Sequence, residues 1–358
     1  TLTKPFLNTI NVARDLSTVT TFDASQEVDP ESVGISQKGA NSIWSGIENL
    51  YRTGVYPAIT FCLRCRGEIV FNRAIGHARG NGPGDDLQTP KLLAQPDTPI
   101  CIFSSSKAAT AMLVHKLVEQ DKINLLDPVS HYIPEFAANN KDRITIFQVL
   151  AHRSAIPKLP EGIPVETLAN PDAVVDLLCQ APTTLREGRE QAYHAVTGGY
   201  ILGELIKRVT GESIKDYWRQ YVKEPMGMRF FDYGIEAEDM DKLALNYMTG
   251  PKIYFPISRY AQHVLGMNLD QIVELSNERR FYEPSVPAAN MTATAEEVSR
   301  LFQVMLDQGK WNGRQIFDPL TIHRATLEVS EAKFDKSFLL PMRYSAGMML
   351  GGNPIGIF

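Results

Sequence analysis

The stretch Cys101-Ile-Phe-Ser-Ser-Ser-Lys-Ala-Ala-Thr110 decides how this chain is read. It sets Ser104 three positions before Lys107, where an apolar run begins. Residues i and i+3 share one face of a helix, so the hydroxyl and the amine can meet. A serine alcohol is a weak nucleophile until a base takes its proton. Loss of water and the positive end of a helix both disfavour a charged lysine, so an amine held there can be that base. Ser-x-x-Lys is the arrangement of serine acyl-transfer enzymes. Behind it Ala108, Ala109, Ala111, Met112, Leu113, Val114, Leu117 and Val118 are apolar nearly all round, which predicts a helix buried in the centre of a domain. The segment alone equally describes a helix N-cap serine followed by a surface lysine. A second match, Ser330-Glu-Ala-Lys333, sits among charged residues with no apolar helix behind it and reads as coincidence.

Context beyond the tetrapeptide favours chemistry. Leu126-Asp127-Pro128 and Pro134-Glu135-Phe136 follow the apolar run. Next come Ile144-Thr-Ile-Phe-Gln-Val-Leu-Ala-His152-Arg-Ser154-Ala-Ile-Pro157 and Tyr193-His-Ala195-Val-Thr-Gly-Gly-Tyr-Ile-Leu-Gly203. Val209-Thr-Gly211, Glu224-Pro-Met-Gly-Met228 and Met291-Thr-Ala-Thr-Ala295 complete the series. From about Val33 to Leu350 this order of blocks resembles the serine β-lactamase and penicillin-binding-protein family, in its class C and family VIII carboxylesterase-like branch. Ala155 stands where the family usually has glycine.

The resemblance implies an α/β (α+β) fold of the β-lactamase/DD-peptidase type. An antiparallel sheet flanked by helices would be built from both chain ends, residues 1–84 and 312–358, with a mainly helical lobe over 85–311. It also implies that Ser104 is acylated, with Lys107 and Tyr193 moving the proton. A phenol beside an ammonium is expected to have a lowered pKa. Without its neighbours, Tyr193 would read as a half-buried structural tyrosine. The Tyr-x-Asn of lactam-acting members is Tyr193-His194-Ala195 here, so the amide that holds a lactam or peptide carbonyl is absent. That departure favours an esterase and makes His194 and Ala195 candidate substrate contacts, although a histidine so placed is more often structural. The family's third motif, Lys-Thr-Gly, His-x-Gly or Trp-x-Gly, would follow Arg343-Tyr-Ser-Ala-Gly-Met-Met-Leu350. It is not found before Phe358, so the last strands of the fold are expected to be missing. Trp311-Asn-Gly313 fits the letters but reads as a turn.

Bulk properties narrow the partners. The chain has 358 residues and a net charge of −5, without a basic tract, which argues against nucleic acid. No apolar run approaches the roughly 20 residues of a membrane span. The start at Thr1 leaves a processed or exported form open. Four cysteines, Cys62, Cys65, Cys101 and Cys179, are expected to be free, which favours a cytoplasmic setting. Cys62 and Cys65 fall at odd spacing on a strand-like run and should face opposite ways. The seven histidines are scattered, so no metal site and no cofactor is expected.

Locally, Ser36 is a plausible N-cap before Ile43, Trp44, Ile47, Leu50 and Tyr51 at helical spacing. Ala58 to Arg64 and Glu68 to Ala74 read as strands joined at Arg66-Gly67. Ala108 to Leu306 reads as mainly helical, with strand signal returning only at Tyr344 to Leu350. The aromatic run Ile253 to Met267 supplies Tyr254 and Tyr260 as candidate walls of an acyl pocket, the alternative being ordinary core. The combined expectation is a serine hydrolase acting on small to medium acyl esters as small-molecule substrates, able to form homo-oligomers. Its rivals are a β-lactamase or D-amino-acid peptidase/acyltransferase, and a non-catalytic, self-assembling member of the fold.

Overall fold

A computed structural model describes residues 7–351 apart from 87, 161, 253, 255–257, 261 and 263–267. The fold mixes antiparallel sheets with many helices. Its largest sheet runs in the order Thr20–Phe22, Glu68–Arg79, Ala58–Cys65, with Leu92–Leu93 also paired to the Glu68–Arg79 strand. The central hairpin turns at Arg66 (φ 55°) and Gly67 (φ 87°). Two left-handed residues in a two-residue loop match the right-handed twist of the strands they join. Gln37–Arg52 is a helix capped by Ser36, whose side chain accepts from the Gly39 N–H. Its Trp44 and Tyr51 pack toward Phe71 and Ile75 of the sheet.

The helix Ala295–Leu306 also packs on this sheet, against Ala58–Cys65. Thr294 and Glu297 close it with a reciprocal capping box. Arg64 reaches across to Glu296 and to Ser299 Oγ at 2.8 Å. Cys62 lies beside Ser299, whereas Cys65 points to the Val33 carbonyl, so the two thiols do face apart. All four cysteines are free.

The helix Ser106–Glu119 occupies the centre of the main core. Ala109, Met112, Leu113, Val114 and Leu117 are fully buried there. Each of the larger side chains contributes about 1.5–3 kcal/mol by leaving water. The helices Thr197–Thr210 and Pro319–Thr326 pack against it. Thr110, a polar residue in this core, is satisfied by Tyr233 Oη at 2.7 Å and the Pro287 carbonyl at 2.6 Å.

A small sheet lies inside the span read as helical. Met291–Ala293 pairs there with both Ile100–Cys101 and Asp232–Tyr233. Strands of two or three residues are too short to show alternation. The third sheet joins Lys333–Asp335, Leu340–Tyr344 and Met349–Leu350. It docks on the central helix through His115 Nε2, 2.8 Å from the Ala346 carbonyl. Among the described residues these late strands do not pair with the Ala58–Arg79 hairpin. Trp311-Asn-Gly313 is a hairpin turn between Lys310–Trp311 and Arg314–Gln315, as read from the sequence.

Candidate active site

Ser104 sits on the short turn Phe103–Ser105, which leads from the Ile100–Cys101 strand into the central helix. Phe103 holds φ at 42°, a left-handed conformation that costs a bulky residue about 1–3 kcal/mol. Ser106 fixes this turn: its hydroxyl donates to the Phe103 carbonyl at 2.5 Å and accepts from the Met291 N–H at 3.2 Å. Ser104 is exposed and does not cap the helix. Its Oγ instead accepts from Lys107 Nζ at 3.0 Å. The bland capping reading of the tetrapeptide fails on that contact.

Lys107 Nζ also donates to the Ala288 carbonyl at 3.0 Å and lies 4.9 Å from the centre of the Tyr193 ring. No carboxylate appears among these partners. Burial pulls the lysine down to about 7, which leaves much of it neutral near physiological pH. The close approach of Ala288 depends on Gly199, where a Cβ would lie 2.8 Å from the Ala288 nitrogen. This glycine, on the helix Thr197–Thr210, lets the loop come near enough to hold the amine.

Tyr193 is buried beside them. Its phenol is pushed up, chiefly by burial, with the Asp335 charge adding to it and a hydrogen bond with Ser104 opposing it. The sequence expectation of a lowered phenol is thus corrected: the lysine gives up its charge instead, and Tyr193 stays protonated. Asp335 Oδ1 accepts the Tyr193 backbone N–H at 3.2 Å. Ser337 Oγ donates to the Tyr193 carbonyl at 3.0 Å.

The structure places the remaining candidates differently. His194 is turned into the protein, 1% exposed, with Nε2 2.6 Å from Ser154 Oγ. Its backbone N–H donates to His152 Nδ1 at 3.1 Å. Burial holds His194 down at about 3 and His152 well below its ordinary value. Both are neutral packing groups, so His194 is not a substrate contact through its side chain. Ala195 does line a cavity shared with Ser104. Tyr254 is exposed and lies outside the cavity wall, as does Tyr260, which donates to the Ser337 carbonyl at 2.5 Å. From the same segment Arg259 and Gln262 line the cavity, and the rest of Ile253 to Met267 is largely outside the described residues.

This cavity, of about 700 Å³, opens beside Ser104. Its apolar wall comes from Leu159, Ile163 and Leu168 in one segment and Ile272, Leu275 and Phe281 in another. Sequence reasoning missed these residues because they sit in a proline-rich loop and a short helix with no motif. Among the described residues no group of three or more metal-binding side chains occurs, and no helix is long and apolar enough to cross a membrane.

A serine, a lysine that burial holds at about 7 and a protonated tyrosine meet at the head of a buried helix. The Beta-lactamase family profile matches residues 47–356, and the chain belongs to that family, whose members are generally serine hydrolases. Among solved structures, a penicillin-binding protein homolog from Caulobacter crescentus superposes with a TM-score of 0.75 at 24% identity, covering 88% of this chain and 82% of its own. A family VIII carboxylesterase gives 0.74 at 24% identity, covering 88% and 81%. These likenesses show the fold. The esterase/beta-lactamase LipL of Mycobacterium tuberculosis is 24% identical over 284 residues, 73% of this chain. The chain spans only 62% of the length of that relative.

Proposed function

We propose that this chain is a carboxylesterase that works through an acyl-enzyme on Ser104. The observation that carries the proposal is the 3.0 Å contact to Ser104 from a Lys107 that burial holds at about 7, beside an apolar cavity that Ser104 lines. Lys107 takes the hydroxyl proton as Ser104 Oγ bonds to the ester carbonyl carbon. The backbone N–H of Ser104 donates to the developing oxyanion. As the carbon–alkoxide bond breaks, Tyr193 gives its proton to the leaving alcohol and is reprotonated from Lys107. Water then attacks the acyl-enzyme with the same groups acting in reverse, releasing the acid and restoring Ser104.

A cavity of about 700 Å³ is within the range of small-molecule pockets, and its aliphatic wall suits an acyl chain. Ala195 offers no amide where lactam-acting members carry asparagine, which supports an ester over a lactam or peptide. Turnover of p-nitrophenyl esters of graded chain length, measured beside a chromogenic cephalosporin, tests this. Ester turnover that exceeds cephalosporin turnover and shortens its preferred chain in Leu168→Trp is expected. Preference for the cephalosporin would move the assignment to a β-lactamase, and loss of neither substrate in Ser104→Ala would remove it altogether.

A further inference from the structure

We infer that Asp335 is a positioning residue for the proposed acid Tyr193, acting from the strand Lys333–Asp335 through a buried carboxylate. The inference rests on the role proposed for Tyr193. Asp335 is fully buried. Its Oδ1 accepts from three backbone N–H groups, of Tyr193 at 3.2 Å, Ser337 at 2.8 Å and Phe338 at 3.0 Å. Its Oδ2 accepts from the Tyr344 phenol at 3.0 Å. None of these four donors is a cation. Burying a carboxylate without a counter-charge is expensive, and a neutral acceptor would satisfy the same N–H groups. What the charge adds is a negative field that raises the Tyr193 phenol.

The groups around Tyr193 make that field matter. Lys107 approaches its ring from the central helix, and a cation there favours the phenolate. The His152 ring lies tilted at 4.9 Å but is held neutral, and Phe338 packs at 4.9 Å on the turn that Asp335 closes. His194 is likewise neutral, Lys336 is drawn to the surface by Glu190, and Tyr260 bonds to Ser337. Asp335 therefore fixes the tyrosine backbone, and its charge adds to the burial that keeps the phenol protonated.

Asp335→Asn separates charge from shape, because the amide oxygen still accepts the three N–H groups. Two readouts are followed: the alkaline limb of kcat on a phenyl ester, and the Tyr193 phenolate absorbance, isolated by subtracting Tyr193→Phe. In D335N both are expected to move to lower pH by about half a unit or more, with the acid limb unmoved. Tyr344→Phe keeps the charge but removes its phenol donor, and is expected to move the Tyr193 titration upward. An unmoved limb and titration in D335N, or an unmoved or lowered titration in Tyr344→Phe, would overturn the inference. Should D335N not fold, the Tyr344→Phe titration decides by itself. The absorbance readout needs no turnover, so ester activity that survives Ser104→Ala would defeat the catalytic reading while leaving Asp335 separately tested.

Discussion

Replacing Lys107 by methionine keeps the length of the side chain and removes its titrating group. Holding the amine at about 7 instead of its ordinary 10.5 corresponds to on the order of 5 kcal/mol, at about 1.4 kcal/mol per pH unit. The unfolded chain keeps this proton to about 10.5, whereas the folded chain releases it near 7. Between those values the unfolded state binds more protons, so stability rises with pH across the window and the full penalty applies below it. Urea unfolding at pH 7, 8.5 and 10 should show that slope in the native chain and a flatter one in Lys107→Met. Loss of the hydrogen bond to the Ala288 carbonyl offsets part of the gain at pH 7, by about 1–3 kcal/mol. Ester turnover should fall roughly 10²–10⁴-fold, the usual contribution of a general base. In the native chain kcat/KM should rise with pH to a plateau above about 7, since the neutral amine is the active form. The neighbouring imidazoles cannot supply that limb, because His194 is held at about 3 and His152 is also depressed. An acid limb that persists near pH 7 in Lys107→Met, or turnover within ten-fold of native, would refute the reasoning.

Other outcomes follow from the same geometry. Tyr193→Phe should lower kcat roughly 10²–10⁴-fold with little change in KM, measured by steady-state ester hydrolysis. Ala155 is held at φ 64°, and Ala155→Gly should relieve strain and stabilise the chain by about 0.5–1 kcal/mol in urea unfolding, without altering kcat. Gly199→Ala should push the Ala288 loop outward and cost about 1–3 kcal/mol of stability. Because that loop holds Lys107, turnover in Gly199→Ala should fall at pH values where the variant is still fully folded.

Local chemistry made part of this legible in the sequence. The Ser104–Lys107 contact follows from i, i+3 spacing on a helix, and the Ser36 cap and the Arg66-Gly67 turn follow from neighbouring residues alone. The apolar run after Lys107 gave the central helix because every face of it is covered. What escaped reading depends on residues far apart in the chain. Asp335 lies 142 positions from Tyr193, and nothing beside it separates it from a surface acid. The direction of the Tyr193 shift escaped for a related reason: it is set chiefly by burial of the phenol, which the folded surroundings decide. His194 reads like a site residue because it adjoins one, yet its side chain points the opposite way. The aromatic run holding Tyr254 and Tyr260 suggested a pocket wall, but aliphatic residues from two other segments supply it. Ala155 was recognisable as a departure from family glycine, and only its left-handed backbone shows what glycine would do there.

The claim on which the rest depends is that Ser104 is an activated nucleophile. Intact-mass spectrometry with peptide mapping, before and after exposure to a serine-reactive phosphonate, tests it most directly. A single adduct on Ser104 is expected, absent in Ser104→Ala and formed much more slowly in Lys107→Met. An adduct on another serine, or none on the folded chain, would contradict it.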